Sequence, residues 1–265
     1  MRDAPWLLRR FALARPVTLA ALASAPPTSA GTRVAAIGAP ALEGTAQSTP
    51  SQLAVANQLR GTGITASAIG DLPALPEAEG ELRAITQALD PRSALLLTGG
   101  RATEAQVEGA PLADYDVIVF ATHGLVSGDV RGLAEPALVL TPQQQGAAAE
   151  QDDGLLTASE IARLRLDADW IILSACNTAA GEGGKAPVFS GLTRAFVQAG
   201  ADSLLLSQWP LEDRSASRIT IDTVRQFANG STKSAALRAA QLEMLKHGGA
   251  TAHPAFWAGF MLLGR

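Results

Sequence analysis

Apolar residues in this chain gather in short unbroken runs rather than alternating with polar ones. The clearest are 33–38 (RVAAIG), 94–98 (ALLLT), 116–122 (DVIVFAT), 137–141 (ALVLT), 170–174 (WIILS), 203–208 (SLLLSQ) and 260–263 (FMLL). Strands covered on both faces read this way, whereas a half-solvated strand alternates. Between the runs the period changes. In 77–89, Leu82, Ile85 and Leu89 share one helical face, and Asp90 followed by Pro91 stops the helix. In 190–199, Leu192, Ala195, Phe196 and Ala199 form another face, ended by Gly200. Longer helices are predicted near 214–228 and 234–246, and a further one at 51–60. Thr103 with Gln106, and Thr157 with Glu160, have the spacing of capping boxes, the second opening a helix to about residue 164. The stretches 142–153 (PQQQGAAAEQDD) and 177–187, rich in Gln and in Gly respectively, are expected to be loops. Buried strands alternating with helices predict one α/β domain, a mainly parallel sheet with helices on both faces.

Composition narrows the function. Of 265 residues 47% are hydrophobic and 17% charged, which is ample for a core; only 5% are aromatic, so that core is aliphatic. The net charge is −4 and no run of Lys or Arg reaches five, which argues against nucleic acid as a partner. No apolar stretch approaches the ~20 residues of a membrane span, so no membrane partner is expected. The single cysteine, Cys176, excludes an intrachain disulfide and a multi-cysteine zinc site. Residues 1–25 imitate a secretory leader, but Arg15 and Pro16 interrupt the apolar run and Asp3 sits in its basic part. The segment is read as part of the domain, and the chain as cytoplasmic, where a lone thiol stays reduced.

Two of the predicted strands run into reactive residues. The run 116–122 continues into His123 and Gly124, and 170–174 into Ala175, Cys176 and Asn177. Ligands of open parallel sheets bind beyond the carboxyl ends of the strands. If these two strands are neighbours, imidazole and thiol emerge together. A free thiol is only a few per cent thiolate at neutral pH. A nearby imidazole takes its proton and later delivers it to a leaving amine. The N–H groups of Gly124 and Cys176 are candidates for an oxyanion hole. Each residue also has a plainer reading, a buried thiol and a structural histidine. Other motifs fail. GEGGK (181–185) resembles a phosphate loop, but Ala186 stands where Ser or Thr is required. The G-x-S-x-G elbow of serine hydrolases is absent. His247 falls in a helix tail, where a cation suits the dipole, and His253 precedes Pro254 in a loop. No cofactor or metal is called for.

FATHG (120–124), LTASEI (156–161), LSACNT (173–178), GLTRAFVQAGADSLLLSQWPLED (191–213) and HPAFWAGFMLLG (253–264) together resemble a CHAT domain. This is a caspase-like cysteine peptidase family, similar to the caspase, separase and gingipain group and often attached to tetratricopeptide repeats in bacteria. Even PWLLRRFALARPVTLAAL (5–22) is similar to a family segment. The resemblance implies a three-layer α/β/α sandwich and a cysteine endopeptidase acting on a protein or peptide, with a catalytic dyad carried onto His123 and Cys176. Their separation of 53 residues agrees with the roughly 50 between the caspase pair. An inactive relative that binds protein is the alternative. SACNT departs from the caspase QAC-x-G, so specificity for Asp is not carried over. The whole chain, 1–265, is expected to be one such domain without the family's first strand or any repeats; repeats in the same or another chain are possible partners. Ser207, Gln208 and Trp209, leaving the strand beside the site, are expected to line the substrate groove. Asp213 and Asp153, with Asp152 beside it, are candidates for an acidic pocket selecting Lys or Arg. Asp213 would equally suit a helix N-cap.

Overall fold

The computed structural model describes residues 4–16, 32–42, 69, 72, 74–127, 133–143, 152–174, 191–209 and 211–264. The expected helix at 51–60, the Gly-rich loop at 177–187 and most of the loop at 142–153 lie outside the described residues. Every strand-like run becomes a strand: β1 (Val34–Pro40), β2 (Leu95–Gly99), β3 (Val117–Ala121), β5 (Ala137–Val139), β7 (Trp170–Ser174), β8 (Leu204–Ser207) and β9 (Phe260–Leu263). Six of these form one sheet in the order β2-β1-β3-β7-β8-β9. The pairs β1–β2, β1–β3, β3–β7 and β7–β8 are parallel, and β9 closes the edge antiparallel to β8.

Why the runs lack polar alternation is visible in the two sides of this sheet. Ala35, Ile37, Ile118, Phe120, Ile171 and Leu173 point to one side, where α2 (Glu104–Glu108), α3 (Ala158–Ile161) and α4 (Gly191–Ala199) cover them. Phe120 meets Phe196 of α4 at 5.5 Å between ring centres. Val34, Ala36, Val117, Val119, Trp170 and Ile172 point the other way, under α1 (Ala78–Leu89), α5 (Asp213–Ala228) and α6 (Lys233–His247). Here Trp170 packs edge-on against Phe227 at 5.1 Å. The chain is thus a three-layer sandwich, with both faces of the sheet dry.

A second sheet escaped the sequence reading. The two-residue strand β4 (Gly124–Leu125) pairs antiparallel with β5, which pairs antiparallel with β6 (Leu155–Thr157). Because β4 follows β3 directly, this small sheet sits at the carboxyl edge of the large one. Leu138 and Leu156 turn into the main core, while Ala137, Val139 and Leu155 pack with Leu125, Leu133, Ile69 and Leu72. Strands of two or three residues are too short to carry a period.

Several local expectations are sharpened. Thr157 and Glu160 form a full capping box: the Thr157 N–H donates to Glu160 Oε2 at 2.8 Å, and the Glu160 N–H donates back to Thr157 Oγ1. That helix ends at Ile161, short of residue 164. Thr103 caps α2 by accepting the Gln106 N–H. Residues 4–16 pack on the domain: Leu8 is buried, Trp6 meets Trp257 edge-on, and Arg15 forms a β-bridge with Leu263. Among the described residues no helix is long and apolar enough to cross a membrane.

Candidate active site

Strands β3 and β7 are adjacent and parallel, with Ala121 paired to Ser174. His123 therefore follows two residues beyond one member of a register pair, and Cys176 two residues beyond the other in sequence. Cys176 itself lies outside the described residues. His123 is buried, at 7% exposure, and held by the small sheet. The Thr122 hydroxyl donates to the Val139 carbonyl, and the Val139 N–H donates to the His123 carbonyl at 2.9 Å. Gly124 is opposite Leu138, and the ladder bond runs one position to the side of that pair. In an antiparallel pair of this kind the two facing residues do not spend their own N–H groups on each other, so the Gly124 N–H is not consumed by the ladder.

The backbone under His123 is tightly packed. Gly38, near the end of β1, has φ +149°, and a Cβ there would lie 2.0 Å from the Ala121 carbonyl oxygen. Only glycine allows that approach. It brings β1 hard against the last residue of β3, two positions before the imidazole.

The predicted groove residues separate. Ser207, the last residue of β8, is buried, Gln208 is exposed, and Trp209 is half-buried. The Trp209 indole N–H donates to the Ala255 carbonyl at 3.3 Å, and its ring packs against Gly259 and the core under α5 and α6. The two acid candidates lie in different places. Asp213 opens α5 on the face shared with α1, and its carboxylate accepts the Glu77 N–H at 3.3 Å. It is not the cap of α5: Glu212 is, accepting the Ser215 N–H at 2.9 Å. Burial, with Glu77 and Glu212 nearby, raises the Asp213 carboxyl above its usual value.

Asp152 and Asp153 sit beyond β2 instead. Asp152 accepts the Glu104 N–H at 3.2 Å, and Asp153 accepts the Leu155 N–H at 2.9 Å. Glu104 joins this cluster, accepting the N–H groups of Gly154 at 2.6 Å and Leu155 at 3.2 Å. Burial outweighs these bonds and pushes Glu104 up to about 8. Burial raises Asp153 too. Of the remaining histidines, His247 ends α6 beside the Arg218 guanidinium, and His253 caps a 3-10 turn by accepting the Ala255 N–H at 3.2 Å.

The sequence reading missed one acid near the site. Glu81, on α1, is 2% exposed and accepts the Ser174 hydroxyl at 3.0 Å. Its position gave a signal: 78, 81, 82 and 85 make one helical stripe, and the other three residues on it are apolar and buried.

A family model described as the CHAT domain matches residues 1–265. The chain belongs to the CHAT domain family. The CHAT domain here is also similar to tetratricopeptide repeat protein 28 of Mus musculus, 30% identical over 222 residues that cover 72% of this chain and 8% of the relative. The Homo sapiens protein of the same name is 29% identical over 222 residues with the same coverage. The chain thus spans 8% of the length of these curated relatives. The six-stranded, mostly parallel sheet between helical layers agrees with the caspase-like architecture that the family resemblance implies.

Proposed function

We propose that this CHAT domain is a cysteine endopeptidase in which Cys176 is the nucleophile and His123 the general base and acid. The observation that carries the reading is the β3–β7 register, Ala121 against Ser174. Side chains alternate along a strand, so positions 119 and 121 of β3 share a face, as do 172 and 174 of β7. Val119, Ala121 and Ile172 all lie on the face covered by α1, α5 and α6. His123 and Cys176 thereby each follow, two positions on in sequence, a residue of one register pair on neighbouring strands.

In this mechanism His123 removes the thiol proton and the thiolate attacks the scissile carbonyl. The N–H groups of Gly124 and Cys176 hold the oxyanion, and the imidazolium protonates the leaving amine. Water, deprotonated by His123, then hydrolyses the thioester and frees Cys176. Gln208 and Trp209, leaving β8 beside β7, line the substrate groove, with Ser207 beneath them. Asp213, which opens α5 beside α1, is taken as the acid for a basic substrate residue; Asp153 belongs to the cluster beyond β2. The domain works with tetratricopeptide repeats in its own or a partner chain, in line with the names of its relatives. A cytoplasmic setting keeps the thiol reduced.

An unbiased peptide-library digest tests this. Wild type is expected to cleave, Cys176→Ala and His123→Ala to lose activity by orders of magnitude, and the double variant to be scarcely worse than either. No cleavage, together with no labelling by a thiol-directed peptidyl probe, would leave a protein-binding domain of the same fold.

A further inference from the structure

Glu81 is a carboxyl group in the wrong place for solvent. It sits on the apolar stripe of α1, packed between β7 and α5. Its Oε2 accepts the Ser174 hydroxyl at 3.0 Å, while Oε1 is buried with no hydrogen-bond partner among the described residues. The Ser217 and Thr220 hydroxyls of α5 lie beside it, but Thr220 donates to the Ala216 carbonyl at 3.1 Å. Leaving a buried carboxyl oxygen without a partner is costly, and such groups usually have a task. This one is tied to the last residue of β7, two positions before Cys176 in sequence.

We infer that Glu81 is a positioning residue: through the Ser174 hydroxyl it anchors the carboxyl end of β7, the strand from which the nucleophile emerges. The inference rests on the dyad reading above. A backbone that must hold a reacting atom in register needs the end of its strand pinned, and the Ser174 hydroxyl makes that link by donating to this acid.

The surroundings explain why the acid is kept neutral. The acid facing it from α5 is Asp213, of like sign. On its own helix, one turn earlier, Glu77 is engaged with Arg214 at 3.6 Å. From β3, Ala121 lies on the same face, and His123 follows it two residues on. Among the described residues no cation pairs with Glu81. Burial, with Asp213 adding to it, accordingly pushes Glu81 up to about 8. Below that pH it is a neutral anchor. Above it, a carboxylate appears in an apolar site, and the anchor is strained.

The test uses the chain's single thiol as reporter, so every S-alkylation event belongs to Cys176. Iodoacetamide rates are measured from pH 6 to 10 in wild type, His123→Ala, Ser174→Ala, Glu81→Ala and Glu81→Gln. Ser174→Ala and Glu81→Ala are expected to slow alkylation at pH 6.5 by about tenfold, the equivalent of one unit of thiol pKa. Glu81→Gln, which still accepts the Ser174 hydroxyl and cannot ionise, is expected to rescue the rate to within about twofold. Thermal melting of wild type and Glu81→Gln over the same range reads the proton directly: the variant's advantage is expected to grow with pH up to about 8. A perturbed wild-type thiol left unchanged by both Ser174→Ala and Glu81→Ala would overturn the positioning role alone. A wild-type thiol that reacts as a free thiol, unaffected by His123→Ala, would overturn the dyad and the positioning role with it. A melting difference flat in pH would overturn the neutral anchor. Should Glu81→Ala fail to fold, Ser174→Ala breaks the same bond from the other side.

Discussion

The two ends of the central sheet each bury a polar cluster, and the clusters follow opposite electrostatics. At the amino edge, Lys233 of α6 is 3% exposed. Its ammonium donates to the Asp169 carboxylate at 2.9 Å, the Asp169 carbonyl at 2.9 Å and the Ser203 hydroxyl at 2.8 Å, and it lies 5.9 Å from the centre of the Trp170 ring. All three ammonium protons have acceptors, and the charges cancel. Burial draws the Lys233 ammonium below its usual value and raises the Asp169 carboxyl, while their mutual attraction opposes both shifts. At the carboxyl edge, Glu81, Asp213 and Glu77 are all acids, and one Glu81 oxygen is unpartnered among the described residues. The amino edge is a charge-neutral knot that joins α6 to β7 and β8, with the Trp170 indole N–H beside it buried and without a hydrogen-bond partner among the described residues. The carboxyl edge instead tolerates like charge, as sites held for chemistry commonly do.

Breaking the knot should cost the most. Lys233→Met leaves the Asp169 carboxylate partly buried and unpaired, and about 3 kcal/mol of stability should disappear in urea unfolding. Adding Asp169→Asn should recover part of it; a double variant no better than the single would show that the charges are not what matters there. Next comes the backbone of the opposite edge. Gly38→Ala puts a Cβ into the Ala121 carbonyl at a φ unsuited to alanine, for an expected loss of about 2–3 kcal/mol and a lower alkylation rate at Cys176.

The pH response should separate the edges more finely. A carboxyl whose folded pKa is raised binds its proton more tightly in the folded chain, so stability is fullest below the unfolded value and falls as pH climbs to the folded one. Glu81 and Glu104, both pushed up to about 8, therefore predict that wild-type stability declines between about pH 5 and 8. Glu81→Gln should flatten the decline by up to a few kcal/mol, taking about 1.4 kcal/mol per pKa unit. Glu104→Gln should flatten it by a similar amount, since its carboxyl is raised to the same value. A wild-type stability that rises over this interval would contradict both. The smallest effect is at Trp209, half-buried and bonded to the Ala255 carbonyl. Trp209→Ala should cost about 1–2 kcal/mol, below a fully buried tryptophan, and raise KM in any peptidase assay.

What was legible along the chain was whatever depends on neighbours within one element. The strands 170–174 and 260–263 appear with the predicted bounds, and the Thr157–Glu160 capping box is complete. Shorter elements were less legible: β5 showed as an apolar run, but the two or three residues of β4 and β6 cannot display a period. Nor was the choice between Asp213 and Glu212 as cap of α5, which turned on Asp213 being drawn to the Glu77 N–H of another helix.

The class of fold and the candidate pair could be read along the chain, because unbroken apolar runs require cover on both faces and because His123 and Cys176 each follow such a run. That β3 and β7 are neighbours, and at which register, emerged only with the packing, since parallel pairing is settled by crossovers that put some fifty residues between the partners. Packing alone decided that Glu81 meets Ser174, 93 residues away. A helical stripe says which side of a helix is buried; only the packing of that stripe on a particular strand says what the one acid on it touches.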